Sequence, residues 1–403
     1  MGMVRKSINL WQIVLCLFVG LLLTGTFLPA QKVEVVAGVR VVHNQKGGQW
    51  GNQLAISIKL VRTLGDIDTS DENLAFNGPE DIALEGNGNI YVLDSRNHRI
   101  QKFSPELKHL ATFGRRGQGP AEFNFPQSIA LDSQGMIYVL DGYQKRIQIL
   151  TPEGKDHKII TVPKLTLDRM RLLKSGALVV KGYLLLGLPG QPKEKTLPKL
   201  AKILDPEGNV RCEFGDLVDY GDGMTNSLGN TFQLAVDGQD NIYFAFVMQN
   251  RIEKYAPDGT LLWRADRELN FPVGVLRKGK SENKDGGMMF EAPRMNHCSS
   301  AIAGDDKGRV WVATLNRQIK KEEEVSTMMV GGPDGIRSIK AMGNQELQTT
   351  DVYKVEVFNA DGVRLGEIPL THFVDGINIW KDRLFLLDRD RGARFYEYQI
   401  VEK

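Results

Sequence analysis

Residues 87–114 read NGNIYVLDSRNHRIQKFSPELKHLATFG, and residues 136–150 read MIYVLDGYQKRIQIL. The YVLD tetrad and the proline turn after it recur with one offset of 47 residues, from Tyr91 to Tyr138 and from Pro105 to Pro152. Around the first copy the pattern resolves into four short segments. EDIALEG (80–86), NIYVLDS (89–95), RIQKFSP (99–105) and KHLATFG (108–114) are separated by Gly, Asn and Pro turns. Val, Ile and Tyr fit a pleated, half-buried surface, and Gly, Pro, Asn and Asp supply the backbone angles that tight turns need. Four antiparallel strands repeated every 40 to 50 residues describe a blade of a β-propeller.

The unit can be counted along the chain. The third-to-fourth strand turn appears as SPEL (104), TPEG (151), DPEG (205), APDG (256) and NADG (359). Second strands are NIYVLD (89), MIYVLD (136), ALVVKG (177), NIYFAF (241), RVWVAT (309) and RLFLLD (383), six in all. The last unit, 372–403, has only three strands, whereas AISIKLVRTLG (55–65) is a strand with no unit of its own. Joining the two closes the ring and removes the open edges that invite aggregation. The expected fold is therefore all-β: a six-bladed propeller over residues 55–403 with a 3+1 closing blade, preceded by a lead-in segment at 31–54. Seven blades is the alternative, should 317–350 hide a degenerate unit.

The first 30 residues differ from the rest. Arg5 and Lys6 precede the apolar run Ile13–Leu23, the layout of an export signal, with a cleavage point after Ala30. The alternative is an uncleaved membrane anchor, since Leu10–Leu28 is just long enough to span a bilayer. Removing residues 1–30 takes two basic and no acidic residues from totals of 51 and 49, leaving 49 of each and no net charge. Neutrality, with mixed-sign loops and export, argues against a nucleic-acid partner. Cys212 and Cys298 alone remain in the mature chain, so no disulfide framework is expected.

The run DIALEGNGNIYVLDSRNHRIQKF (81–103) resembles an NHL repeat, and FGRRGQGPAEFNFPQSIALD (113–132) is similar to the linkers of bacterial exported six-bladed propellers of that class. The resemblance implies architecture. It does not choose among the RNA binders, scaffolds and few enzymes that share the fold.

The insertions carry the functional signal. In a propeller, connections from a fourth strand to the next first strand, and from a second to a third, emerge on one face. Every long connection here belongs to that set: 114–127, 185–199, 215–230, 267–296 and 316–350. One decorated face on a rigid scaffold is read as a binding face. Arg115, Arg116, the Met288–Met289–Phe290 cluster, Met328 and Met329 are its candidate partner contacts, methionine being adaptable. The stretch VSTMMVGGPDGIRSIKAM (325–342) reads as a hairpin arm. Aligned on their second strands, the six units place Asp81, Ser128, Arg169, Gln233, Ala301 and Asp375 nine residues upstream, near the channel mouth. The polar members of that ring are the candidate ligand site, able to hold the two ends of a polar ligand.

No catalytic residue is assigned. The expected function is an exported, non-catalytic propeller, in the periplasm or at the cell surface, that binds a protein, peptide or glycan through its loop-rich face. Membrane contact would come only through an uncleaved N-terminal segment. The alternative is an envelope hydrolase or lyase using zinc or calcium at the channel mouth. Metal-dependent lactonases of six-bladed fold need an acid- and Asn-rich mouth, and the zinc amidating lyase needs converging imidazoles. His297 and His372, just before the first strands of blades 5 and 6, are the candidate ligands for that case.

Overall fold

The computed structural model describes residues 31–51, 55–163, 165–182, 197–284, 287–332 and 335–403. The N-terminal segment 1–30, read as a signal or anchor, and 183–196, most of the insertion at 185–199, lie outside the described residues. No helix among the described residues is long and apolar enough to cross a membrane.

Six antiparallel blades form a closed ring. Blade 1 is Pro79–Leu84, Ile90–Asp94, Arg99–Phe103 and His109–Phe113; blades 2 to 5 repeat the order, with innermost strands Ser128–Leu131, Leu167–Leu172, Phe232–Val236 and Ser299–Gly304. Blade 6 has Gly376–Trp380, Arg383–Asp388 and Arg394–Glu402, and takes its outer strand from Ile56–Leu64. That closing strand is paired from Ile56 opposite Glu402 to Leu64 opposite Phe395. Innermost strands touch their neighbours all the way round, including blade 6 against blade 1. The 3+1 closure stands, and 317–350 contains no seventh blade. Val325–Gly332 and Gly335–Gly343 instead pair as a hairpin inserted between the second and third strands of blade 5.

The repeated strand shows why the sequence folds this way. Ile90–Asp94 is buried at every position, so both of its faces need an apolar partner. Ile90 and Val92 enter the cluster shared with blade 6, through Phe385 and Phe395, while Tyr91 and Leu93 enter the one shared with blade 2, through Ile129 and Val139. Alternation along one strand thus feeds two interfaces. Six such clusters fill the six gaps between blades. Blade exits are equally specific. Gly114 has φ +84°, and a Cβ there would stand 2.2 Å from the Phe123 ring.

The lead-in segment proves to be part of the disc. Gln31–Val36 and Val39–Asn44 form a hairpin, and Val39–Asn44 runs parallel to Leu261–Arg267, extending blade 4 to six strands. The buried Asn44 amide donates to the Asp266 and Gly362 carbonyls and accepts the Arg364 N–H at 2.7 Å. Trp50 then donates its backbone N–H to Leu365 at 2.7 Å before the chain reaches blade 6. One strap therefore ties blades 4, 5 and 6 along the outer rim. The thiols of the described residues, Cys212 and Cys298, are unpaired.

Turns on the plain face are short and alike. Glu85, Asp132, Leu173, Asp237 and Asp305 each donate a backbone N–H to the carbonyl four residues on. Long connections, including 65–78 before blade 1, leave from the opposite edge.

Candidate functional site

On that opposite face a cavity of about 610 Å³ opens at the channel mouth. Its floor comes from the ring: Arg169 of blade 3, Gln233 of blade 4 and Asp375 of blade 6. Its walls come from the inserted segments, namely Arg294–His297 before blade 5, Gln318, Ile319 and Glu324–Ser326 at the foot of the arm, and Arg389 and Arg391 in the blade-6 loop. A second cavity of about 240 Å³ shares Arg169, Gln233 and Arg389 and is bounded by Thr327 and Ile339 of the arm. The arm thus runs over the mouth, with space on either side. This size lies within the usual range for ligand sites.

Below the mouth the channel narrows to about 30 Å³, lined among others by Asp81, Arg169, Gln233, Ala301 and Asp375. Five of the six residues aligned from the sequence therefore meet in the channel. Ser128, the sixth, is fully buried beside it. Its hydroxyl lies 2.9 Å from both Asp81 Oδ2 and the Met170 carbonyl, so its single proton serves one of them at a time. Asp81 also accepts from Arg171 Nη1 at 2.8 Å, with Arg169 Nη1 at 3.6 Å. Burial pushes the Asp81 carboxyl up, but Arg171, Arg169 and the hydrogen bonds outweigh it and hold the acid below its ordinary range. Asp81 and Ser128 are turned on their neighbours. Arg169, Gln233 and Asp375 face the cavity.

A second layer of charge surrounds the mouth. Arg389 bridges Glu80, at 3.1 and 3.2 Å, and Asp390, at 3.0 Å, and its backbone N–H donates to Asp375 at 2.9 Å. Glu80, and then Asp375 and Asp390, raise its pKa well above the ordinary value. Arg96 holds the other Asp390 oxygen at 2.5 Å, and Lys181 pairs with Asp168 at 2.7 Å.

The arm is clamped at its foot. Glu323 receives both ends of the Arg317 guanidinium, at 2.6 and 2.7 Å, and the backbone N–H of Lys320. Arg317 is the main reason its carboxyl falls to about 2. The Glu323 carbonyl accepts from Arg391 Nη2, and Gln345, just past the far strand, donates to the Asp390 carbonyl at 2.7 Å.

Other sequence candidates are scattered. Arg115 pairs with Glu122 at 2.8 Å, and Arg116 is exposed; neither lines these cavities. Met328 is exposed on the arm. Backbone pairing places Met288, Met289 and Phe290 in a hairpin with Lys280–Lys284, and Met329 opposite Ile339. Their side chains lie outside the described residues. His297 lines the large cavity, and burial lowers its pKa, leaving the imidazole neutral near pH 7. His372 does not line it; it stacks on Tyr396 at 3.9 Å and lies 2.9 Å from the Tyr398 hydroxyl. Among the described residues no three His, Cys, Asp or Glu side chains are grouped to hold a metal ion. Asp94 and Asp141, at the ends of two second strands, accept loop N–H groups from Asn77 and Asn124 at 2.7 and 3.1 Å. Both thus tie the connection before their own blade to its second strand, a structural role in keeping with their recurrence.

Sequence reasoning missed Glu80, Arg294, Arg389 and Arg391. For Arg389 and Arg391 the signal was available in DRDRGAR (388–394), five charged residues in seven, on the loop-rich face.

The NHL repeat family matches residues 76–103, which cover the first three strands of blade 1. No curated protein matches the chain in sequence. Among solved structures it is similar to a DUF4221 family member from Bacteroides vulgatus, at 11% identity and TM-score 0.54, over 86% of this chain and 99% of that one. A Bacteroides fragilis protein inferred to be exported gives 11% identity and TM-score 0.54 over 90% and 99%. A gluconolactonase from Xanthomonas campestris, at 14% identity over 81% and 87%, reaches only TM-score 0.47 and carries no argument. At such identities likeness establishes fold alone. The chain is a six-bladed β-propeller whose first blade matches the NHL repeat.

Proposed function

We propose that this protein is an exported, non-catalytic binding propeller that receives a segment of a protein, peptide or glycan in the cavity on its loop-rich face. One observation carries the reading: the 610 Å³ cavity is floored by the ring and walled by inserted segments. Rigid blades fix the floor while loops of unrelated sequence shape the walls, the usual division between scaffold and recognition. The basic n-region and apolar run before Ala30 support export, which puts the partner in the envelope or outside the cell. The test is affinity capture from an envelope extract with the full chain and with a variant whose arm, 326–342, is replaced by a short turn. A partner retained by the first and lost by the second is expected. Equal retention by both would overturn the reading.

A second reading rests on His297, a half-buried imidazole on the cavity wall whose pKa is lowered by desolvation, which favours the neutral form a general base needs. In that case the protein is an envelope hydrolase or lyase, and zinc or calcium is the cofactor to look for. Metal bound in stoichiometric amount by the purified protein, and lost in His297→Ala or Asp375→Ala, would favour it.

A further inference from the structure

The basic groups around the channel fall into two sets. Arg171, Arg169, Arg389, Arg96 and Lys181 each have a carboxylate partner within 4 Å. Arg391 and Arg294, both on the wall of the large cavity, form no ion pair among the described residues. Arg294 is exposed, and its backbone pairs with Arg277. Arg391 is 6% exposed. Its guanidinium lies 3.5 Å over the Phe373 ring, Nη2 donates to the Glu323 carbonyl, and Nε has no hydrogen-bond partner.

A buried guanidinium cannot shed its proton, so its charge needs compensation from a counter-ion or from ordered donors and acceptors. Here the protein gives Arg391 one carbonyl and one aromatic face. The acids nearby are engaged or set apart. Asp375 accepts the Arg389 N–H, and Glu324 is exposed at the foot of the arm. Asp388 lies within the field of Arg391 but makes no ion pair with it, and accepts the Gly392 N–H. The cavity therefore presents two guanidinium groups to which no described residue supplies their natural complement, a carboxylate held by charge-assisted hydrogen bonds.

The rest of the lining says what carries that carboxylate. Val247, Met295, Ile319, Val325 and Val374 make an apolar strip beside the polar Asn296, Gln318 and Ser326. Among the described lining residues the one ring of Phe, Tyr or Trp is Tyr353, which is buried and offers no exposed platform for a sugar to stack on. Mixed apolar and amide surface suits a peptide.

Resting on the binding role above, we infer that the cavity recognises an acidic peptide segment, with Arg391 and Arg294 taking an Asp or Glu carboxylate and the neighbouring side chains lying on the apolar strip. The arm foot then reports occupancy, because Arg391 also holds the Glu323 carbonyl.

The test uses purified full chain and two pools of N-acetylated, C-amidated tripeptides that differ only in Asp or Asn at the centre, with trigalacturonate as a third probe. Binding is read by affinity-selection mass spectrometry at low salt. Asp-centred peptides should be retained roughly tenfold or more over their Asn partners, the difference a charge-assisted hydrogen bond makes. Arg294→Gln, at an exposed site, should cut that preference while leaving the far-ultraviolet spectrum unchanged, and Arg391→Lys should cut it further. Equal retention of the Asp and Asn pools, or a preference untouched by Arg294→Gln, overturns the inference yet leaves the binding role standing. Trigalacturonate retained above both pools transfers the site to acidic glycans and also overturns it. No retention of any probe overturns it as well, and the arm-replacement capture then decides separately whether the face binds at all.

Discussion

Arg171 and Arg391 both stand on the wall of the central channel, and their surroundings differ. Arg171 sits low in the ring, where Asp81 takes its Nη1 at 2.8 Å and Ser128 supplies a further contact at 3.1 Å. Arg391 sits at the decorated mouth, with a carbonyl, a phenyl ring and no carboxylate. In the deep layer the chain answers its own charges, which makes them part of the fold. At the mouth two charges are left for something else to answer. Both layers look alike in sequence, as polar residues among strands, so polarity alone does not separate scaffold from site. The partner does.

The largest effect should come from breaking the deep layer. Asp81→Ala deletes a buried carboxylate, leaves the half-buried Arg171 without its partner and takes an acid 3.6 Å away from Arg169. Loss of one member of such a buried pair costs about 3–5 kcal/mol, to be read by urea unfolding. A loss below about 1 kcal/mol would mean the deep ring is not the structural set, and the contrast with the mouth would collapse.

Next comes pH. Burial raises the Asp141 carboxyl to about 7, and raises Asp388 to about 6 with help from Asp375. A carboxyl whose folded pKa is raised adds stability that is complete below its ordinary range and is lost as pH rises through the folded value. Unfolding free energy should therefore fall between pH 5 and 8, by about 2–3 kcal/mol from Asp141. Asp141→Asn should flatten that fall. An unchanged slope would show that the Asn124 N–H and the Gln144 amide keep the acid ionised throughout.

The smallest effect concerns the arm. Glu323→Gln weakens the contact between a buried carboxyl and the partly exposed Arg317 guanidinium, and because the amide oxygen still accepts one bond the loss in stability should be about 1 kcal/mol. The same change should loosen the arm foot enough to speed hydrogen exchange across 325–343, measured by mass spectrometry. Exchange as slow as in the parent protein would show that Gln345 and the Asp390 carbonyl hold the arm on their own.

Much of the fold was legible because a propeller repeats. The YVLD strand returns, the Pro–Gly turns count the blades, and the orphan strand 55–65 has one place to go. What escaped is the outer strap. Val39–Asn44, besides its hairpin with Gln31–Val36, joins blade 4 rather than blade 6, which the next strand enters, and nothing in its six residues says which free edge they will take. The site was legible in part for the same reason. Register alignment found the channel ring, since Asp81, Arg169, Gln233 and Asp375 obey the repeat. Arg294, Arg389 and Arg391 lie in insertions outside the blade repeat; the density of charge in 388–394 marked the last two, and nothing in the sequence marked Arg294. Repeats reveal what is shared between blades, and a binding site consists of what is not.

The most direct test of the central claim is the unfolding free energy of Arg391→Met, which keeps an aliphatic stem against Phe373 and deletes the charge. If the mouth charges are held for a ligand, removing this one should leave stability within about 1 kcal/mol of the parent, or raise it, while the preference for Asp-centred peptides disappears. A loss as large as that of Asp81→Ala would place Arg391 among the structural charges and contradict the account.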